Sequence, residues 1–267
     1  MINRGKHNIL GVMVSAADYE MVVRRIVQAA NSRTSLVVSA AAVHAIMEGA
    51  LSEEHKYRLN HFDLVVPDGQ PVRWTLNLLH RARLKDRVYG PSLAVRTLQA
   101  AERFGLSVFF YGGDEGLLSA IRRNVTSQYP GLRIAGTESS KFRRLLPGEK
   151  QQIAQRIFDS GASLVFVGLG CPRQDVWAYE FRGVLPMPVV CVGGAFGILA
   201  RRSPQAPQWM QDRGLEWLYR LSREPRRLWR RYLLFNPAYV GLIAMQAFRL
   251  KRFDILGRCP GDELAYG

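Results

Sequence analysis

The chain has 267 residues, 48% of them hydrophobic, and a formal charge of +15. That is enough apolar material for one large packed domain, or one domain with an appendage, and it excludes global disorder. The charge calls for an anionic partner: nucleic acid, acidic lipid headgroups or a phosphate-rich substrate. Cys171, Cys191 and Cys259 form no CxxC pair and no His/Cys ligand cluster, so a reduced environment is expected and a zinc site is not. The opening Met-Ile-Asn-Arg-Gly-Lys-His lacks the apolar run of an export signal, so none is expected. Residues 236–248 are too short to span a bilayer and contain Pro237; they are expected at most to lie on a membrane.

In chain order, 36–39 read as a first strand and 42–51 as a helix. A second strand over 62–66 ends at Pro67-Asp68-Gly69. Helix 91–104 follows, then a third strand over 107–111 ending at Gly112-Gly113, and helix 115–128. A fourth strand, 132–135, follows the turn Tyr129-Pro130-Gly131. The fifth, 163–167, ends at Gly168-Leu169-Gly170, and the sixth, 189–192, at Gly193-Gly194. Strands apolar throughout and alternating with helices predict an α/β fold: a Rossmann-like parallel sheet with helices on both faces. Right-handed crossovers then gather the glycine and acidic turns at the carboxyl edge, where such sheets bind ligands. The composition changes near Pro207. Arg213, Arg220, Arg223, Arg226, Arg227, Arg230 and Arg231 are interleaved with Trp209, Trp217, Tyr219, Trp229 and Tyr232. Two units are therefore expected: an α/β catalytic domain over 1–206 and a basic helical appendage over 207–267, broken near Pro225 and again near Pro237.

Glycine turns let a backbone approach phosphate closely, and each following helix offers free N–H groups. Gly112, Gly113, Gly170 and Gly194 are therefore candidate nucleotide contacts, although none sits in a Walker or clean Gly-x-Gly-x-x-Gly motif. Asp68, just past a buried strand, can accept a proton from a hydroxyl nucleophile, but a helix N-cap is what Asp after a strand usually is, and on the residues alone that reading is favoured. Gln174 and Asp175 open a helix, and the glutamine amide suits a sugar hydroxyl or a base edge. His7, His44, His55, His61 and His80 show no ligand spacing, and no Asp-x-Asp occurs, so no metal site and no cofactor are expected.

These pieces together resemble the WecG/TagA/CpsF family of bacterial glycosyltransferases from about residue 36 to 232. They are Asp63-Leu-Val-Val-Pro-Asp68-Gly, Arg87-Val-Tyr-Gly-Pro, Val108-Phe-Phe-Tyr-Gly-Gly, Tyr129-Pro-Gly-Leu, Val167-Gly-Leu-Gly-Cys-Pro-Arg-Gln-Asp, Ala206-Pro-Gln-Trp-Met, and the long segment from Gly214-Leu-Glu-Trp to Trp-Arg-Arg-Tyr232. The resemblance implies an inverting, metal-independent transfer from a UDP-sugar to a polyprenyl-diphosphate-linked saccharide, in exopolysaccharide or related cell-surface glycan assembly. Asp68 matches the family's proposed base, Ser39 a family Thr or Ser, and Gln174 a donor-site glutamine; Gly69 follows the base. Arg220, Arg227, Arg230 and Arg231 match an appendage that holds the lipid diphosphate. Ala41, Gly197 and Gln205 stand where relatives carry Asn, Asp and Arg.

The resemblance places the protein in the cytoplasm, peripheral on the inner face of the cell membrane, with no nucleic-acid partner; a homo-oligomer stays open. Two other readings remain: a non-catalytic nucleic-acid binder, which the charge would suit, and a degenerate family member acting as a scaffold. Glucose, glucuronic acid, N-acetylmannosamine and its uronate are all compatible donors.

Overall fold

A computed structural model describes all 267 residues, except for the side chains of Arg227 and Arg231. The chain begins with β1 (Asn3–Ile9), β2 (Val12–Ala17), α1 (Tyr19–Ser32), β3 (Leu36–Ala41), α2 (Val43–Leu51), α3 (Glu53–Asn60), β4 (Leu64–Pro67) and α4 (Gln70–His80). It continues through α5 (Gly90–Arg103), β5 (Ser107–Tyr111), α6 (Glu115–Gln128), β6 (Arg133–Glu138), α7 (Glu149–Asp159) and β7 (Leu164–Val167). The last elements are α8 (Arg173–Phe181), β8 (Pro188–Cys191), α9 (Ala195–Leu199), α10 (Gln208–Asp212), α11 (Glu216–Arg223) and α12 (Pro225–Ala247).

Six strands form a parallel sheet in the order β4-β3-β8-β7-β5-β6. Successive strand residues point to opposite faces, and both faces are apolar. Val37, Val65, Val165 and Val189 join one core layer; Val38, Val66, Phe166 and Val190 join the other. Helices cover both layers, which is why these strands read as continuous apolar runs. All six strands expected from the sequence are present, with ends shifted by no more than three residues.

The β1–β2 hairpin, unforeseen in the sequence, is antiparallel. It lies along the β4 side of the sheet, where Val65 N–H donates to Ser15 Oγ at 3.2 Å. Its apolar residues Ile9, Val12 and Val14 enter the first core layer, so β4 is covered rather than left as a bare edge.

Beyond 207, α11 and α12 meet at Pro225, as expected from the sequence. Pro237 does not break the chain; it lies inside α12. The carbonyl it leaves without a donor belongs to exposed Leu233, where water can satisfy it. Packing holds the helix on course. Tyr239 and Ile243 are buried in the first core layer, and Tyr239 donates its hydroxyl to Thr75 Oγ1 on α4 at 2.8 Å. The segment expected to lie on a membrane is thus partly docked on the protein. No helix is long and apolar enough to cross a membrane among the described residues.

After α12 the chain is extended and runs back over the domain. Asn8 and Asn60 donate to the carbonyls of Phe253 and Ile255, both at 2.8 Å, and Glu180 accepts the N–H groups of Leu264 and Ala265 at 2.7 and 3.1 Å.

Candidate active site

The loops leaving β3, β4, β7 and β8 line a cleft of about 840 Å³ at the carboxyl edge of the sheet. A smaller cavity of about 90 Å³ opens beside it, between the start of α4 and the helices α11 and α12. The two share a wall made of Ala42, Asp68, Tyr89, Glu216 and Arg220. Asp68 therefore sits at the seam between a large polar cleft and a small pocket.

Asp68 reaches that seam because β4 ends at Pro67. The Asp68 N–H still bonds Ala41 O at 3.2 Å, continuing the pairing with β3, and α4 starts only after Gly69. Asp68 is not the cap of its own helix, which corrects the reading favoured by the residues alone: the cap position is Gly69. Its Oδ1 accepts the N–H of Gly90 at 2.6 Å, at the first turn of α5. That bond leaves Oδ2 as the oxygen for a proton. Burial pushes the Asp68 carboxyl up to about 6, opposed by Arg87, the Gly90 N–H and Arg220, and reinforced by Glu216. A carboxylate tuned toward neutrality in this way suits a general base.

Around it is a cluster of charges contributed by α11. Arg87 Nη2 donates to Glu216 Oε2 at 2.7 Å, and both side chains are buried. The Arg87 guanidinium also lies 4.3 Å from the centre of the Tyr89 ring. Arg220, one turn beyond Glu216, lies over the backbone of Gly194, where a Cβ would come within 3.0 Å of Nη2. A side chain at 194 would push this guanidinium away. Gly214 has φ +70, and a Cβ there would lie 2.8 Å from Trp74 Cη2, so glycine lets the chain turn against α4 just before α11.

The sequence candidates divide among several positions. Gly170, Gln174 and Gly194 line the cleft, and Gly69 lines the small pocket. Gln174 is buried, and its Oε1 has no hydrogen-bond partner among the described residues. Ser39 lies beneath the cleft instead of on its wall, fully buried, donating to Asp175 Oδ1 at 2.7 Å. Gly112 and Gly113 lie outside the cleft lining. Gly112 packs on the backbone of Gly168, where a Cβ would sit 3.0 Å from the carbonyl carbon, and Gly113 packs on Leu117. Arg230 is exposed, with its guanidinium 5.3 Å from the Trp229 ring centre, outside both cavities. Arg227 and Arg231 fall outside the described side chains. Of the three departures expected from the family resemblance, Gly197 and Gln205 line the cleft and Ala41 is fully buried.

Arg173, Arg202, Arg223, Tyr89 and Glu216 also line the cleft and were not among the sequence candidates. For Arg87, Tyr89 and Glu216 the signal existed, because all three lie in segments that carry the family resemblance. Composition treats them as ordinary surface charges.

A Rossmann-like parallel sheet with a cleft at its carboxyl edge, lined by a buried carboxylate and several arginines, is the arrangement of an α/β ligand site suited to an anionic substrate. The chain matches the glycosyl transferase WecG/TagA/CpsF family over residues 7–253 and belongs to that family. It is 32% identical over 183 residues to an N-acetylglucosaminyldiphosphoundecaprenol N-acetyl-beta-D-mannosaminyltransferase of Bacillus spizizenii, covering 68% of each chain. A Bacillus subtilis protein of the same description is 28% identical over 196 residues, covering 73% of each. The chain is a glycosyltransferase of the hexosyl-transferring class.

Proposed function

We propose that the protein transfers a hexosyl residue from a UDP-sugar to a polyprenyl-diphosphate-linked saccharide, with inversion and without a metal in the reaction, for exopolysaccharide or a related cell-surface glycan. The observation that carries this reading is the position of Asp68 at the seam of two cavities. The large cleft takes the donor, and the acceptor end enters through the small pocket beside α11 and α12. The acceptor hydroxyl oxygen attacks the anomeric carbon from the face opposite the diphosphate. Its proton passes to Asp68 as the new glycosidic bond forms and the bond to UDP breaks.

The departing UDP carries the bonding electron pair, so negative charge grows on its terminal phosphate oxygen. Arg220, Arg223, Arg202 and Arg173 line the same cleft and supply the opposing charge. The unpartnered Gln174 amide oxygen accepts from a donor hydroxyl or base edge. The two Bacillus relatives are named for N-acetylmannosaminyl transfer to an N-acetylglucosaminyl diphosphoundecaprenol, so that donor–acceptor pair is the first to test.

Because the proposed acceptor carries a lipid tail, the reaction falls at a membrane surface, on this proposal its cytoplasmic face. Supporting this, α12 exposes Trp229, Leu233 and Leu234 beside the exposed Arg226 and Arg230, an apolar and basic face suited to anionic headgroups.

The test is a panel of UDP-sugars with a polyprenyl-diphosphate-linked N-acetylglucosamine, read by mass spectrometry, with and without magnesium. Product from one donor, independent of magnesium, is the expected result. Absence of product from every donor, in an assay where a Bacillus relative is active, would overturn the reading.

A further inference from the structure

Beneath the cleft, three side chains from distant parts of the sequence converge. His55 lies on α3, Cys171 in the loop after β7, and Asp175 in the first turn of α8. One ligand atom from each, His55 nitrogen, Cys171 Sγ and an Asp175 carboxylate oxygen, lies within 4.8 Å of the others. His55 Nε2 and Asp175 Oδ2 face each other at 3.8 Å, too far for a hydrogen bond. Both residues are buried, 4% and 0% exposed, and neither of these two atoms has a hydrogen-bond partner among the described residues. Ser39 donates to the other carboxylate oxygen at 2.7 Å, and the Cys171 side chain also interacts with the Asp175 carboxylate.

Among the described residues, no lysine or arginine forms an ion pair with Asp175. A buried carboxylate and a buried imidazole nitrogen left facing each other at this distance are each costly unless something between them satisfies both.

We propose that His55, Cys171 and Asp175 hold a zinc ion. Thiolate, imidazole and carboxylate together are a zinc donor set, whereas magnesium and calcium take oxygen donors. Ligands at about 2.0–2.3 Å around a tetrahedral centre lie roughly 3.3–3.7 Å from one another. The three side chains need about an ångström of movement to close on the ion. Ser39 holds the carboxylate from behind, as the hydrogen-bond partners of metal ligands do. Cys171 lines the cleft while His55 and Asp175 do not, so the ion has an entry path on the Cys171 side.

Such an ion clamps the start of α8, which carries Gln174, onto α3 and takes no part in the sugar chemistry assigned to Asp68. The site is absent from any linear motif because position 55 lies far from 171 and 175.

The test uses the full chain, purified without metal-affinity steps, stripped with a chelator and titrated with Co²⁺ and with Zn²⁺. The expected results are one equivalent bound, a thiolate-to-cobalt charge-transfer band, and a higher melting temperature with Zn²⁺ but not with Mg²⁺. Cys171→Ser and His55→Gln should each lose the band and the thermal shift. Cys259→Ser should keep both, which separates the site from the exposed thiol. Lack of a band and of a zinc-dependent thermal shift in the stripped wild type would overturn the proposal in favour of a plain His55–Asp175 contact. So would a band that survives Cys171→Ser. If one variant fails to fold, the other and the wild-type titration still decide.

Discussion

Replacing Glu216 with alanine removes one half of a buried pair and leaves the Arg87 guanidinium without its 2.7 Å partner. Both residues are buried, at 6% and 8% exposure. Orphaning one member of such a pair costs about 3–5 kcal/mol. Because Glu216 begins α11 while Arg87 belongs to the segment leading into α5, the chain can relieve that cost by letting α11 lift. At about 1.4 kcal/mol per decade, the docked fraction of α11 can shift by roughly two to four powers of ten. Lifting α11 also removes Arg220 from the cleft, so transfer should fall in parallel with docking.

Limited proteolysis between 207 and 225 reports docking, and turnover with lipid-linked acceptor reports the site. Arg87→Met combined with Glu216→Leu separates the two. An apolar pair of similar volume restores docking, yet Asp68 loses the charges that tune it, so activity should return only in part and with a changed pH profile. Unchanged proteolysis and turnover in Glu216→Ala would refute the view that this pair seats the helix.

Four further outcomes follow from the site. Transfer by the wild type should fall as pH drops through about 6, because burial raises the Asp68 carboxyl to that value and only its ionised form accepts a proton; an acid limb near 4 would remove the raised base. Since the folded chain favours protonated Asp68, its stabilising contribution is full below the unfolded value and lost as pH rises through 6. Asp68→Asn should therefore abolish transfer, keep UDP binding by calorimetry, and raise the melting temperature at pH 8; turnover near wild type would remove Asp68 as base. Gly214→Ala, at φ +70 and against Trp74, should cost about 1–2 kcal/mol in backbone strain alone and loosen α11 in the same proteolysis assay. Gln174→Ala should raise the donor KM more than it lowers kcat; a pure kcat effect would place the glutamine elsewhere in the reaction.

Much of the fold was legible because its signals are local. An apolar run with both faces hydrophobic marks a buried parallel strand wherever it occurs, and a glycine turn after it marks the carboxyl edge. That is why Asp68, Gly170, Gln174 and Gly194 are expected at the carboxyl edge and do line the cleft there, whereas Gly112 and Gly113, expected there by the same signal, lie outside its lining. The hairpin over 3–17 is hard to read from sequence because its first strand, Asn3–Ile9, is polar and mostly unburied and so lacks the continuous apolar run that marks the six parallel strands. Pro237 misled because a proline signals a break locally, whereas Tyr239 and Ile243 hold α12 together through contacts far along the chain.

The sequence by itself determined the class of the protein: a doubly covered parallel sheet, its acidic and glycine-rich edge, and the segments shared with WecG/TagA/CpsF glycosyltransferases. Tertiary structure alone decided what each site residue faces. Asp68 meets the N–H of Gly90, 22 positions away, and Arg87 meets Glu216, 129 positions away. His55 meets Asp175 from a different helix. Periodicity and turn chemistry act over a few residues, so they can be read from a line of letters. Which charges end up buried together depends on strand order and on where each helix docks, and only the folded chain sets these.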